Sequence, residues 1–395
     1  MPVTMPKIEV TFQQQAGSLM ERSERGYAIL IVKDNTNPSW DYREYTDLTA
    51  LEEHKDDYTA ANYAAINDVL SFAPYRVFVF RTDAEENTIN VNAFSDLEES
   101  EELTDDVSEE IAPKRKTISD ALSLITKKVK TGWITIADMT TADATALSSW
   151  IQAQEKLYKS YKAVVYQPTV APDSMHIVSF GNESVTFTDE RGKQSGAAYL
   201  PSLIGIFAVC NVTRGCTNYH CSNLSAVEEV SDNTAALKDG KFILVLDDDG
   251  KVRVAQGNNS MTTTNGKTRT EDMQYIETVE AMDLIRDDIS KTFRETYLGN
   301  YRNTLDNQML FISSLNFSYF QKLAQQGILD PNYTNVASID ASAQRLAWQA
   351  SGKTEAADWD DAKVKATPFK RSVYLKADIK IAGSMTDLLF AITMA

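Results

Sequence analysis

The side chains best suited to chemistry in this chain of 395 residues lie together at Cys210, Cys216, His220 and Cys221, in a C-x5-C-x3-H-C arrangement. Thiolates and imidazole are zinc ligands, but structural zinc sites favour tight pairs such as C-x2-C and four ligands converging on one tetrahedron. His220 and Cys221 are adjacent and converge poorly on one ion. The four are therefore expected to be packing residues, since small buried thiols are common. A cysteine nucleophile needs a histidine beside it in the fold. His54, His176 and His220 are the only histidines, and none has a recognisable setting. Asp247, Asp248 and Asp249 precede Gly250. A calcium loop spaces its acids at alternating positions and ends on a distal Glu, whereas Asp-Gly is a hairpin turn signal. The pairs Asp287-Asp288 and Asp360-Asp361 read as solvated faces. The chain holds no G-x-x-x-x-G-K-[ST], no G-x-G-x-x-G after a strand, no H-E-x-x-H and no G-x-S-x-G. The sequence thus predicts no catalytic, cofactor-binding or metal site, and no cofactor.

Bulk properties point the same way. A length of 395 residues suggests two or three domains, with 43% hydrophobic and 24% charged residues as in ordinary globular proteins. A net charge of −17 argues against nucleic acid and against anionic lipid as partners. Three cysteines do not suit a secreted disulfide framework. MPVTMPKIEV has no apolar signal core and does not read as a secretion signal, so reduced thiols in a cytosol are expected. The longest apolar stretches, Tyr27–Val32 and Leu200–Val209, fall well short of the roughly 18–20 residues that span a bilayer.

Periodicity predicts the elements. Ile8, Val10 and Phe12 alternate with polar residues as a half-buried strand at the start of the chain. From residue 25 onward, short apolar strands alternate with helices: strands at Tyr27–Val32, Arg76–Phe80, Trp133–Ile136, Ala163–Tyr166 and His176–Phe180, helices at Ala60–Phe72, Thr117–Val129 and Ala142–Tyr161. That alternation implies a layered α/β domain. The acidic run between Asp96 and Glu110, followed by Lys114-Arg115-Lys116, reads as a solvated loop or insertion near 83–116. Phe242–Leu246 and Val252–Val254 form the hairpin around Gly250. A long helix capped by Thr270 carries the stripe Ile276, Val279, Met282, Ile285, Ile289, Phe293 and Tyr297 to Gly299. A second spans Thr304–Gln326 and stops at Gly327.

The last segment alternates twice. Val373, Leu375, Ala377, Ile379 and Ile381 form one apolar face; Leu388, Phe390, Ile392 and Met394 form another. Chain ends fray unless held, so both terminal segments are expected to need a partner edge.

Order and spacing of several stretches resemble the contractile phage tail sheath family. GKFILVLDDDGKVRVAQGNNSMTTTN is similar to that family's hairpin and its following Arg…Asn-Ser…Thr-Thr stretch, here Arg253 to Thr263. QYIETVEAMDLIRDDISKTFRETYLGNYRN resembles its long helix, with Met282-Asp283-Leu284-Ile285 in the core and Tyr297-Leu298-Gly299-Asn300 at the exit. VYLKADIKIAGSMTDLLFAITMA resembles its closing strands, with Asp378 to Met385 on the D-x-K-P-V-D-A-M pattern and no proline. AAYLPSLIGIFAVCNVTRGC resembles the family's P-x-I-A-G segment through Pro201 and Gly205. The likeness is to sheaths of Gram-positive phages and phage-tail-like bacteriocins.

The resemblance implies an α/β (α+β) fold: a linking arm at 1–24, an α/β sheath domain at 25–235, a C-terminal domain at 236–370 with two long helices, and linking strands at 371–395. It implies a helical polymer of this chain with itself, around a tail tube, bounded by baseplate and tail terminator proteins, with no nucleic acid and no membrane insertion. It also implies assembly into a phage tail or phage-tail-like particle. The arm residues Ile8, Val10, Phe12, Val373, Leu375, Ala377, Ile379, Ile381, Leu388, Phe390 and Ile392 would add strands to neighbouring subunits. Gln321, Lys322, Gln325 and Gln326 would face the tube. Removing Met1–Phe12 or Arg371–Ala395 is expected to abolish polymer and leave a folded monomer. Two rival readings are a cytosolic α/β enzyme or metabolite-binding protein without a recognisable motif, and a secreted surface-layer or adhesin protein, for which the sequence offers no secretion signal.

Overall fold

The computed structural model describes residues 25–84, 115–210, 212 and 214–393. The expected strand at Ile8–Phe12, the acidic run from Asp96 to Glu110, and Met394 lie outside them. The described chain forms two compact units, residues 25–280 together with 386–393, and residues 281–385.

The first unit is built on strands β1 (Tyr27–Lys33), β2 (Tyr42–Tyr45), β3 (Arg76–Thr82), β4 (Thr131–Ile136), β5 (Ser160–Tyr166), β6 (Ile177–Phe180), β7 (Ser184–Phe187), β8 (Lys193–Ser195), β9 (Leu224–Val227), β10 (Lys241–Phe242), β11 (Leu244–Leu246) and β12 (Val252–Val254). Seven of them form one sheet in the order β10-β6-β5-β4-β1-β3-β2. It is parallel except for β2, which runs antiparallel to β3. Near-continuous apolar strands suit a parallel sheet covered on both faces, and Ala28 through Val32 are fully buried. The covering helices are α1 (Leu48–Glu52), α2 (Ala60–Leu70), α3 (Ile118–Lys128), α4 (Thr141–Lys156), α5 (Leu200–Val209) and α6 (Asn233–Lys238). Every residue of α5 from Leu200 to Ala208 is buried, as expected of a helix apolar on all sides. Gly205 is there for contact: a Cβ would meet the Val69 carbonyl oxygen of α2 at 2.7 Å.

Helix α3 opens on a capping box: the Thr117 hydroxyl accepts from the Asp120 N–H and the Asp120 carboxylate from the Thr117 N–H. Thr140 and Asp143 make a second. Three boundaries differ from expectation. The helix predicted to reach Tyr161 ends at Lys156, because Tyr158 takes a positive φ of 57° and the chain re-enters the sheet at Ser160. Thr270 makes no cap bond, and the long helix α7 (Ile276–Thr292) starts six residues later. The division expected between 235 and 236 falls at Glu280/Ala281, since β10 joins the seven-stranded sheet and keeps the hairpin with the first unit. The acidic excursion has a closed stem: the Asp83 N–H donates to the Lys116 carbonyl at 3.0 Å, and the Lys116 N–H to the Asp83 carboxylate at 2.6 Å.

In the second unit, α7 runs into a π-helical turn at Phe293–Tyr297. Helix α8 (Leu305–Ser314) continues through a π-turn, Leu315–Tyr319, into α9 (Phe320–Gln325). Strand β13 (Val336–Ile339), helices α10 (Ala341–Ala350) and α11 (Asp361–Ala366), and strand β14 (Leu375–Asp378) follow. Trp348 packs on a small core of Ala341, Ala356, Trp359 and Val364.

Asp34, at the end of β1, supplies a test of the first unit. It is fully buried and accepts from the backbone N–H groups of Thr36 and Thr59 and from the Asn62 amide, at 2.8–2.9 Å. Burial pushes its carboxyl up, but these donors outweigh burial and hold it below the usual carboxylate range. A depressed folded pKa stabilises the protein above the unfolded value and is lost as pH falls through the folded one. Asp34→Asn is expected to cost about 2 kcal/mol at pH 7, in line with charge-assisted hydrogen bonds. Urea unfolding should show that gap narrowing as pH drops below about 4.

Candidate functional site

In open α/β sheets, ligands bind beyond the carboxyl ends of the strands where the strand order reverses. Here the chain crosses from β3 to β4 on the other side of β1, so the crevice lies between the ends of β1 and β4. Side chains of the protein fill it. Lys33 pairs with Asp143 of the Thr140 capping box, and Asp34 is held by Asn62 and the loop before α2. The Lys33 ammonium is among the contacts that keep the Asp143 carboxyl low against its burial. This crevice is an internal clamp.

The sulfur cluster behaves as packing. Cys210, Cys216 and Cys221 are buried while His220 is exposed. Burial pushes Cys210 up to about 11 and Cys221 to about 12, so both are thiols at neutral pH. Among the described residues no group of three or more His, Cys, Asp or Glu converges to hold a metal.

The end of the chain is where backbone groups go unused. β14 pairs antiparallel with β13, Leu375 opposite Ile339 and Ala377 opposite Ala337. This corrects the expectation that Val373–Ile381 lacks a partner within its own chain. The sequence does not advertise β13, because Val336–Ile339 is only four residues long. The ladder continues: the Asp340 N–H donates to the Tyr374 carbonyl, and Asp330 and Lys380 carry it on toward Ile381. Truncation at Arg371 would therefore remove a strand of the subunit's own sheet.

Alternate residues of an antiparallel strand bond to alternate sides. With Tyr374 bonded to Asp340, the N–H and C=O groups of Tyr374, Lys376 and Asp378 face β13. Those of Leu375, Ala377 and Ile379 face the other way, and among the described residues no strand pairs with them. The opposite edge of the same two-stranded sheet is closed. The Asn316 side chain accepts from the Ala337 N–H at 2.7 Å and donates to the Ala337 carbonyl at 3.0 Å, standing in for a neighbouring strand. Asn316 sits in the π-turn of the α8–α9 helix, a feature common at functional sites. Neither Asn316 nor the π-turn is legible in the sequence, since a single polar residue within a helical pattern reads as solvated.

Past β14 the chain is exposed. Met385, Leu388, Leu389, Phe390 and Ile392 are 72–101% accessible, and residues 382–393 form no element. The strand expected over Leu388–Ile392 is not formed: among the described residues this exposed apolar run belongs to no strand. Gln321, Lys322, Gln325 and Gln326 are all exposed at α9 and its end. Phe317, 72% exposed in the π-turn, stands one turn before them and was not anticipated.

Comparison with known proteins follows from this geometry. The model of the phage tail sheath C-terminal domain matches residues 268–395. A tail sheath protein of Clostridium phage phiCD119 is 24% identical over 98% of both chains. The sheath tail protein of Desulfitobacterium hafniense superposes with a TM-score of 0.63 at 15% identity, over 85% of this chain and 94% of that one. The contracted helical sheath of the anti-feeding prophage superposes with a TM-score of 0.64 at 11% identity, over 100% and 99%. Residues 268–395 match the phage tail sheath C-terminal domain, and over nearly its whole length the chain is similar to a phage tail sheath protein and shares the fold of sheath proteins.

Proposed function

We propose that this chain is the structural subunit of a contractile tail sheath: copies polymerise around a tail tube between a baseplate and a terminator, and their rearrangement drives the tube through a cell envelope. Assembly in the bacterial cytoplasm into a phage tail or phage-tail-like particle goes with this reading. The observation that carries it is the pairing of an open strand edge, at Leu375, Ala377 and Ile379, with an exposed apolar run at Leu388–Ile392 on the same chain. One copy supplies the edge and another the strand. Such head-to-tail contacts are heterologous and build rings or open helical polymers. Main-chain hydrogen bonds then link copies, as in other strand-addition complexes. At about 1 kcal/mol net per bond, one strand of about five residues adds a few kcal/mol before side-chain burial. Repeated through a lattice, such links hold subunits together while they move as rigid bodies. The contraction draws on energy stored at assembly.

The internal clamp at Lys33, Asp34 and Asp143 weighs against the enzyme reading, because the crevice such an enzyme would use is occupied by ion-paired and hydrogen-bonded side chains.

Removing residues 386–395, which spares β14, is expected to abolish ordered polymer while leaving a soluble monomer. Electron micrographs and the thermal unfolding midpoint check it: long tubes from the truncated chain would refute the reading. Removal of Met1–Phe12 tests the N-terminal arm in the same way. The tube contact is assigned to Gln321, Lys322, Gln325 and Gln326, with Phe317 beside them. Lys322→Glu should lower co-sedimentation of sheath with tube severalfold, and unchanged co-sedimentation would take Lys322 out of that contact.

A further inference from the structure

We infer that the cleft beside the start of β14 is the socket for one side chain, Phe390, of a second copy's terminal run. The inference rests on the strand-addition reading above and names the contact that would fix its register. The cleft holds about 510 Å³ of empty space open to solvent. Its walls are Phe293, Tyr297 and Phe311, with the Tyr297 and Phe311 ring centroids 4.6 Å apart and those of Phe293 and Phe311 5.7 Å apart. Arg302 and Arg371 stand at its rim, and Val373 lines it. Both arginines are exposed.

Three facts select the occupant. First, Val373 lines the cleft two residues before Leu375, the start of β14, so a strand added to the open edge of β14 runs close to the cleft. Second, an aromatic cleft takes an aromatic or aliphatic guest, and ring pairs add about 0.5–1.5 kcal/mol beyond burial. Phe390 is the aromatic of the exposed run, 75% accessible. Third, the run carries Asp387 three residues before Phe390 and no basic residue from Ser384 to Ala395. The net charge of the run therefore complements that of Arg302 and Arg371, with Asp387 on the strand face opposite Phe390. A backbone ladder alone specifies register weakly; a seated aromatic removes the slip.

The test uses the full-length chain. p-Benzoylphenylalanine replaces Phe390, isotopically labelled and unlabelled copies are mixed, and the assembled sample is irradiated. Mass spectrometry is expected to find cross-links between copies from position 390 to peptides within 293–311 or 371–373. Separately, Arg302→Glu with Arg371→Glu should lower polymer yield at least tenfold, and Asp387→Lys on the same chain should restore part of it. Cross-links that map elsewhere, or normal polymer from the double reversal, overturn the socket. Failure is separable from failure of strand addition. Loss of polymer in Ala377→Pro together with normal polymer in the arginine variant leaves strand addition standing and removes the cleft. Normal polymer in both removes both.

Discussion

Replacing Ala377 with proline is expected to abolish polymerisation while leaving the monomer folded, and replacing Lys376 with proline is expected to unfold the two-stranded sheet. The two positions are adjacent, and they differ only in which way the backbone N–H points. The N–H of Lys376 belongs to the ladder with β13, whereas that of Ala377 faces the open edge. Proline lacks the N–H and is tolerated on edge strands where that group faces solvent. Ala377 is exposed, so no packing is disturbed. Against an incoming strand the ring removes one hydrogen bond and occupies the space its carbonyl needs, which breaks the bonds on either side as well. At about 1 kcal/mol each, roughly 3 kcal/mol per contact is lost, about a hundredfold in affinity. Sedimentation and electron microscopy read the polymer, and circular dichroism reads the fold. Tubes of normal length from Ala377→Pro would show that the edge is not where copies join.

The choice of that edge is reinforced by what happens at others. Two asparagines close strand backbones with their side-chain amides. Asn316 takes both backbone groups of Ala337, and the buried Asn182 takes both of Leu244, accepting from its N–H at 2.8 Å and donating to its carbonyl at 3.0 Å. Exposed edges invite unwanted pairing, and proteins manage them. This chain closes two such positions, and among the described residues no strand pairs with the outward-facing groups of Leu375 and Ala377. On the strand-addition reading proposed above, that open edge is where a second copy joins.

Sequence pattern carried the layered domain because its determinants are local. Five apolar strands, the helix start marked by Thr117 and Asp120, and the Asp-Gly turn each announce themselves within about ten residues. The alternating face Val373–Ile381 was equally legible. Its partner was not, because β13 is four residues of mixed character whose pairing is set by a contact across the unit. The same holds for α5: Leu200–Val209 gives an apolar run, but only the approach of Gly205 to the Val69 carbonyl identifies it as a helix buried on all sides. The outward direction of the Ala377 N–H, on which the functional argument turns, depends on pairing parity and has no signature in residue type.

A buried ion pair gives the largest expected effect on stability. Lys162 of β5 and Glu280 of α7 are 3.1 Å apart, with side chains 2% and 5% accessible. Glu280 also accepts from the Trp133 indole N–H at 2.8 Å, and the Lys162 ammonium lies 5.6 Å from the Trp133 ring. The three knit β4, β5 and the first turns of α7, so the helix start is fixed to the sheet by charge as well as packing. Removing one member of a buried pair leaves the other uncompensated, at a cost of about 3–5 kcal/mol, whereas removing both charges with shape kept is far milder. Lys162→Met and Glu280→Gln should each fall in that range, glutamine being chosen because its amide carbonyl still serves Trp133. The double variant is expected to be more stable than either single by about 2 kcal/mol, a coupling that urea unfolding at pH 7 resolves. Additive losses would mean that the two groups do not depend on one another. If the coupling is found, the start of α7 behaves as part of the first unit, and any flexing of the chain between its units must fall beyond Glu280.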